Sequence, residues 1–90
     1  MDSQFEIRIS GRVQGVGFRA AARKKARSLR LKGWVENLPD GSVRTVIRGD
    51  ALKCNSFIAW CREGSAYSWV EGLEIRDMQP EPLGPFTVIY

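Results

Sequence analysis

The 90-residue chain contains no histidine. Histidine is the commonest general acid or base in enzymes, so its absence excludes Ser–His and Cys–His nucleophile pairs. The two cysteines, Cys54 and Cys61, lie in one predicted helix with their Cα atoms about 10 Å apart, which exceeds the roughly 7 Å reach of a disulfide. Two thiols without histidine also fall short of a zinc site. We therefore expect free cysteines and no zinc site.

Long apolar segments are also lacking. No run of residues approaches the roughly 20 needed to span a bilayer, and the first residues lack the basic and apolar regions of a signal peptide. With 43% hydrophobic residues, the composition suits a soluble globular protein. We expect a single domain over residues 1–90 that is cytoplasmic, monomeric and not bound to membranes.

Acidic residues are scarce in the first half of the chain. The net charge is +4, but residues 1–45 hold ten Lys/Arg against four Asp/Glu, whereas residues 46–90 hold four against six. Five of the basic residues fall within one predicted helix and are expected to form a solvated face: Arg23, Lys24, Lys25, Arg27 and Arg30. This distribution favours an anionic partner, which could be a small phosphoryl compound or a nucleic acid.

Hydrophobic periodicity predicts five strands and two helices. Phe5, Ile7 and Ile9 alternate with polar residues, which is typical of a half-buried strand ending near Gly11. A helix is predicted over 19–31, with Ala22, Ala26 and Leu29 inward and Gly33 as C-terminal cap. Strands over 34–38 and 43–48 are joined by the 38–42 turn. A second helix runs from the Asp50 cap to Gly64, with Leu52, Phe57, Ile58 and Cys61 inward. A strand over 69–77 follows, in which Gly72 either weakens the strand or marks a bulge, and then a loop over 79–85 and a strand over 86–90.

This order is β-α-β-β-α-β with one further short strand at the end. It predicts an α+β fold of the ferredoxin-like type, in which two helices cover one face of a mainly antiparallel sheet. Loops and strand ends would then carry the function.

The segment Gly11–Arg19, GRVQGVGFR, joins the first strand to the first helix. A strand-to-helix turn directs free backbone N–H groups at one point, where the helix dipole favours negative charge, and glycines allow a close approach. The guanidinium of Arg19 can add paired hydrogen bonds to a phosphate or carboxylate. The motif is neither a Walker A loop nor a dinucleotide fingerprint. By itself it is equally compatible with a plain tight connection.

Asn37 lies near the end of the strand before the Pro39-Asp40-Gly41 turn. Its neutral amide can donate and accept hydrogen bonds without adding charge. Taken alone, it is also compatible with a residue that supports the turn.

Together, GRVQGVGFR and the segment Gly33–Val43, GWVENLPDGSV, closely resemble the two motifs of the acylphosphatase family, and the likeness extends over nearly the whole chain. The resemblance implies a ferredoxin-like sandwich and an enzyme that hydrolyses acyl phosphates without metal or cofactor. It implies that Arg19 binds the phosphoryl group and Asn37 orients the attacking water. The loop amides would come from Gln14, Gly15, Val16, Gly17 and Phe18. Inorganic phosphate or sulfate is expected to occupy the same site.

The chain departs from the family pattern in small ways. Gly17 stands where many members carry a bulkier, often aromatic residue, and no proline follows Gly64. A similar motif occurs in a domain of a hydrogenase-maturation carbamoyltransferase, where proline commonly follows the arginine. Here Ala20 follows, which favours a stand-alone enzyme.

Two other functions compete with this interpretation. An RNA-recognition motif has a related βαββαβ order and suits the basic helix, but the 43–48 strand has no aromatic residue to stack on a base, which makes a nucleic-acid partner the weaker alternative. A non-catalytic phosphate-binding module would keep the fold without the reaction. Because both motif residues, Arg19 and Asn37, are present, the sequence argues against a site that has lost its activity.

Overall fold

The computed structural model describes residues 2–90; Met1, part of the N-terminal segment considered above, lies outside the described residues. In these residues a five-stranded sheet has the order β4-β1-β3-β2-β5. Neighbouring strands are antiparallel except β2 and β5, which are parallel. The elements are β1 (Asp2–Arg12), α1 (Phe18–Ser28), β2 (Lys32–Asn37), β3 (Val43–Asp50), α2 (Ala51–Glu63), β4 (Trp69–Met78) and β5 (Thr87–Ile89). The ferredoxin-like α+β prediction is confirmed.

The core lies between this sheet and the two helices. Ile7 and Ile9 of β1 are fully buried, as the alternation predicted, and Ala22 and Ala26 bring α1 close to the sheet. Phe18, the first residue of α1, is buried and packs on Trp60 of α2 with ring centroids 5.2 Å apart. The start of α1 is thereby anchored to the core immediately before Arg19. No helix within residues 2–90 is both long and apolar enough to cross a membrane.

The end of α1 differs from the prediction. The helix stops at Ser28 rather than residue 31, because Arg30 adopts a left-handed conformation with φ 57°. The Leu31 N–H then donates to the Ala26 carbonyl at 2.9 Å, which closes the helix as in a Schellman motif. Gly33 is therefore not the cap. It lies in β2, where a Cβ would collide with the Val46 carbonyl of β3.

The second helix begins as predicted. The Asp50 carboxylate accepts from the Leu52 and Lys53 N–H groups at 3.1 and 3.4 Å, and the helix ends before Gly64. Leu52, predicted in the apolar stripe, is 76% exposed. It is out of phase with Phe57, Ile58 and Cys61, and Cys54 occupies the inward position in its turn, since residues 54, 58 and 61 recur at helical spacing.

Both cysteines are free, as predicted, and both are buried. Burial raises the pKa of Cys54 to about 11 and that of Cys61 to about 12. The thiols are therefore neutral at physiological pH and act as small apolar side chains of the α2 face.

The predicted irregularity of β4 is present. The pairing of β1 with β4 shifts between Ser10, which faces Gly72, and Gly11, which faces Val70. One extra residue of β4, Glu71, is left between these pairs, which is the arrangement of a β-bulge. The shift occurs where β1 runs toward the glycine loop.

Candidate active site

Residues 13–17 form the loop between β1 and α1. Gly15 and Gly17 have φ of 73° and 77°, in the left-handed region, and Gly17 is the N-cap of α1. In the part of the chain that the structure describes, the backbone N–H groups of residues 14–18 donate to no protein acceptor. Consecutive free amides next to left-handed residues at a helix N-terminus form a concave anion site. The loop therefore leaves these amides available, and their binding of an anion stays a prediction.

Arg19 follows directly, in the first turn of α1, and is half-buried. Its Nη1 donates to the Ile89 carbonyl at 3.0 Å, and its guanidinium carbon lies 4.8 Å from the centre of the Tyr90 ring. The ion pairs found within residues 2–90 involve other arginines, all in β3 or β4: Arg44 with Glu6 and Glu36, Arg48 with Asp2, and Arg76 with Glu6. Within residues 2–90, Arg19 is thus not paired with an acidic side chain.

Asn37 is the last residue of β2 and pairs with Val43 across the hairpin. Its Oδ1 is shielded from solvent and accepts no hydrogen bond from residues 2–90. A shielded acceptor without a donor is costly, so the position suits a bound water or ligand donor. The amide is not used to support the turn.

One pocket of about 200 Å³ brings these groups together. Its lining residues come from the loop, the first turn of α1, the end of β2 and the segment after β5: Val13, Gly15, Gly17, Phe18, Arg19, Ala20, Asn37 and Tyr90. Arg19 and Asn37 therefore face a shared space. Such a pocket is large enough for a phosphoryl group with a water molecule beside it.

The remaining predicted loop residues, Gln14 and Val16, do not line the pocket with their side chains. Val16 packs against the core. The Gln14 side chain turns to the hairpin, where its Nε2 donates to the carbonyls of Leu38 and Ser42, each at 2.8 Å. These two bonds join the glycine loop to the turn that follows Asn37. Gln14 thus contributes a positioning contact beside its predicted backbone amide.

The hairpin turn has the predicted chemistry. Gly41 has a φ of 93°, and the Asp40 carboxylate accepts from the backbone N–H and hydroxyl of Ser42. These bonds, first the hydroxyl and then the N–H, hold the pKa of Asp40 below its usual value. Leu38 and Ser42 close the turn with a 2.8 Å backbone hydrogen bond. The closed turn directly follows Asn37 and joins it to its partner Val43 in β3.

Sequence reasoning did not identify Ile89, Tyr90 or the Gln14 side chain as parts of this site. Ile89 and Tyr90 lie about 70 residues from Arg19, and only the parallel pairing of β5 with β2 brings them to it. No local pattern signals such a contact. The sequence places the polar residue Gln14 between Val13 and Gly15 in the loop. It does not show which way the Gln14 side chain turns.

A family model described as Acylphosphatase matches residues 5–88 of the chain. An acylphosphatase of Methylococcus capsulatus is 50% identical over 72 residues, covering 80% of this chain and 78% of the relative. One of Thermococcus kodakarensis is 45% identical over 83 residues, covering 92% and 91%.

A solved structure agrees with these relatives. The crystal structure of an acylphosphatase from Bacillus subtilis superposes with a TM-score of 0.94 at 34% identity, covering all of both chains. Sequence and fold thus point to the same group of proteins over nearly the full length.

Proposed function

The chain belongs to the acylphosphatase family and hydrolyses acyl phosphates, and on this premise we propose that the pocket around Arg19 and Asn37 is its catalytic site. The observation that carries the proposal is the convergence on one pocket of a guanidinium without an acidic partner in residues 2–90, a shielded amide oxygen without a donor, and a loop whose amides are free.

Arg19 and the amides of residues 14–18 bind the phosphoryl group. Phosphoryl transfer needs stabilisation of charge on the equatorial oxygens, and fixed donors provide it without reorganising during the reaction. The guanidinium can make two parallel bonds to these oxygens, while the start of α1 adds its dipole. The half-buried position of Arg19 strengthens both contributions relative to bulk water.

Asn37 orients the attacking water. Its Oδ1 accepts a hydrogen bond from the water and holds it beside the phosphorus, opposite the bond to the acyl oxygen. The new bond forms between the water oxygen and phosphorus, and the bond from phosphorus to the acyl oxygen breaks with its electron pair going to the carboxylate.

The reaction does not require an enzyme acid. The leaving carboxylate has a conjugate acid with a pKa of about 4, so it departs without protonation at neutral pH. In this proposal the proton of the water passes to a phosphoryl oxygen of the substrate. This accounts for a site that contains no histidine.

The same proposal includes a monomer in the cytoplasm that acts alone as one domain, and a pocket that also accepts inorganic phosphate. The nucleic-acid alternative gains no support, because the matching family model and the curated relatives are acylphosphatases. The curated relatives carry the name of an enzyme, which disfavours the non-catalytic alternative.

The test compares steady-state hydrolysis of benzoyl phosphate by the wild type, Arg19→Ala, Arg19→Lys and Asn37→Ala. Loss of a preorganised charged donor predicts a fall of at least ~10²–10³ in kcat/KM for Arg19→Ala, with weaker inhibition by phosphate. Arg19→Lys should also fail, because an ammonium cannot make paired bonds. Asn37→Ala should lower kcat while phosphate inhibition stays near normal.

Arg23→Ala is the matched control. Arg23 lies one turn further along α1, is exposed and does not line the pocket. Its variant should keep activity within about twofold, since exposed charges contribute little. If Arg19→Ala retains most of the wild-type activity, the assignment of the site is wrong.

A further inference from the structure

Ile89 and Tyr90 hold the guanidinium of Arg19 from two directions. We propose that Tyr90, together with the Ile89 carbonyl, is a positioning element that keeps the Arg19 guanidinium in the pocket before substrate arrives. The inference rests on the proposed role of Arg19. It adds a specific task for a segment that neither sequence motif contains.

The two contacts restrict different movements. The Ile89 carbonyl accepts from Nη1 at 3.0 Å, which is a bond to the edge of the planar guanidinium. The Tyr90 ring lies 4.8 Å from the guanidinium carbon, within the range of a cation–π contact. A guanidinium has five N–H donors, so one bond to Ile89 leaves donors for a phosphoryl group.

The fold gives this segment a fixed position. β5 pairs in parallel with β2, with Val88 beside Val35 and Ile89 beside Glu36, the neighbour of Asn37. The segment that holds Arg19 is therefore attached to the strand that carries Asn37. This links the geometry of the anion-binding group to that of the water-orienting group.

The start of the same segment is fastened to α1 as well. Phe86 is buried in the core, and its carbonyl accepts from Nε of Arg27 at 3.1 Å. Arg19 and Arg27 lie about two turns apart on α1, and each donates to a carbonyl of the 86–89 segment. Because the 86–89 segment is attached to α1 at both Phe86 and Ile89, the fold fixes the position of the Ile89 carbonyl.

The exposure of Tyr90 separates a positioning role from a packing role. The residue is 93% exposed, so its ring buries little surface, yet it lines the catalytic pocket. Its hydroxyl makes no hydrogen bond to residues 2–90. The ring face is thus the part that acts, and phenylalanine should replace it. A side chain held in its binding conformation also loses less rotamer entropy when an anion binds.

The experiment measures kcat, KM and the inhibition constant of inorganic phosphate for the wild type, Tyr90→Leu and Tyr90→Phe, with acetyl phosphate and benzoyl phosphate as substrates. Loss of an exposed cation–π contact predicts a roughly two- to fivefold fall in kcat/KM, equal for both substrates, with phosphate inhibition weakened by about the same factor. Tyr90→Phe should stay within about twofold of the wild type.

Tyr67→Leu is the matched control, because Tyr67 is 81% exposed and does not line the pocket. Its kinetics should be unchanged. Unaltered kinetics for Tyr90→Leu, or a loss confined to benzoyl phosphate, would overturn the inference; the second result would assign the ring to the acyl group of the substrate.

A double-mutant cycle tests whether Tyr90 acts through Arg19. In an Arg19→Ala background the Tyr90→Leu change should have no further effect, whereas independent roles would give multiplied losses. The two proposals fail separately. An Arg19→Ala variant with nearly full activity contradicts the catalytic site, while a strongly impaired Arg19→Ala variant in which Tyr90→Leu causes its full further loss contradicts only the positioning role.

Discussion

The two loops that meet at the pocket contrast in how they use their backbone groups. The glycine loop over residues 13–17 leaves the amides of residues 14–18 without protein acceptors in the described chain, whereas the hairpin turn over 38–42 pairs its groups internally. Leu38 bonds Ser42, Gly41 bonds Leu38, and Asp40 accepts from Ser42. Both loops contain glycine in a left-handed conformation. The same conformational freedom therefore opens one loop to a ligand and closes the other on itself.

The difference shows how the molecule separates binding from support. Free amides are available only because the loop is held from outside, by the Gln14 side chain on the hairpin and by buried Phe18 at the start of α1. A loop that satisfied its own amides would be more stable alone but would not bind an anion. The hairpin supplies that external support because its own groups are already satisfied.

The largest effect is expected for Gln14→Met, which keeps the side-chain length but removes both hydrogen bonds to the hairpin. Loss of two part-buried hydrogen bonds predicts a decrease of about 1–3 kcal/mol in the free energy of unfolding. Displacement of the loop predicts a fall on the order of 10² in kcat/KM. Urea denaturation and acyl phosphate turnover measure the two effects.

Gln4→Met is the control for that substitution. Gln4 is buried near the start of β1 and also bonds through its side chain, accepting from the Glu81 N–H at 2.9 Å. We expect Gln4→Met to lower stability by a similar amount with little change in turnover. Equal losses of turnover in both variants would mean that the loop depends on global stability and not on its link to the hairpin.

A sharper comparison places the same change in each loop, as Gly17→Ala and Gly41→Ala. In both positions φ is positive, at 77° and 93°, and a Cβ would meet no atom within 4 Å. Each substitution should therefore cost only the left-handed strain, about 1–2 kcal/mol. Relief of that strain would shift the backbone of either loop, but only the glycine loop carries the binding amides. We therefore expect turnover and phosphate inhibition to weaken by about tenfold only for Gly17→Ala, since a 1 Å shift of binding groups is already costly.

Stability in this pair is measured by urea denaturation and phosphate affinity by inhibition of turnover. If both variants lose the same stability but only Gly17→Ala loses turnover, the glycine loop binds the anion and the hairpin turn only supports it. A comparable loss of phosphate affinity in Gly41→Ala would show that the closed turn shapes the anion site as strongly as the open loop.

The smallest effect is expected for Asp40→Ala, which removes the acceptor for Ser42 from the exposed turn. Because the pKa of Asp40 is lowered from 3.8 in the folded state, its carboxylate stabilises the fold above that value and the contribution disappears as pH falls through the lower folded pKa. The melting temperature of the variant should therefore lie below that of the wild type at pH 6, and the gap should close in acid. A gap that widens toward low pH would contradict this sign, and turnover should not change.

Local parts of the fold were predictable from sequence because their causes lie within a few residues. The Asp50 cap, the 38–42 turn and the alternation of β1 are of this kind, and all are present. The errors occurred where distant contacts override local signals. Gly33 resembled a helix cap, but close approach to Val46 explains it, and Leu52 resembled a core residue until the phase of α2 placed Cys54 inward.

The sequence by itself determined the order of strands and helices, the two motifs and the absence of histidine, since these follow from periodicity, turn chemistry and composition. Only the tertiary structure decided that Arg19 and Asn37 share a pocket, that Gln14 joins the loop to the hairpin, and that Ile89 and Tyr90 contact the guanidinium. The physical reason is the sheet order. Parallel pairing of β5 with β2 brings together residues about 70 positions apart, and no local preference of the chain encodes that pairing.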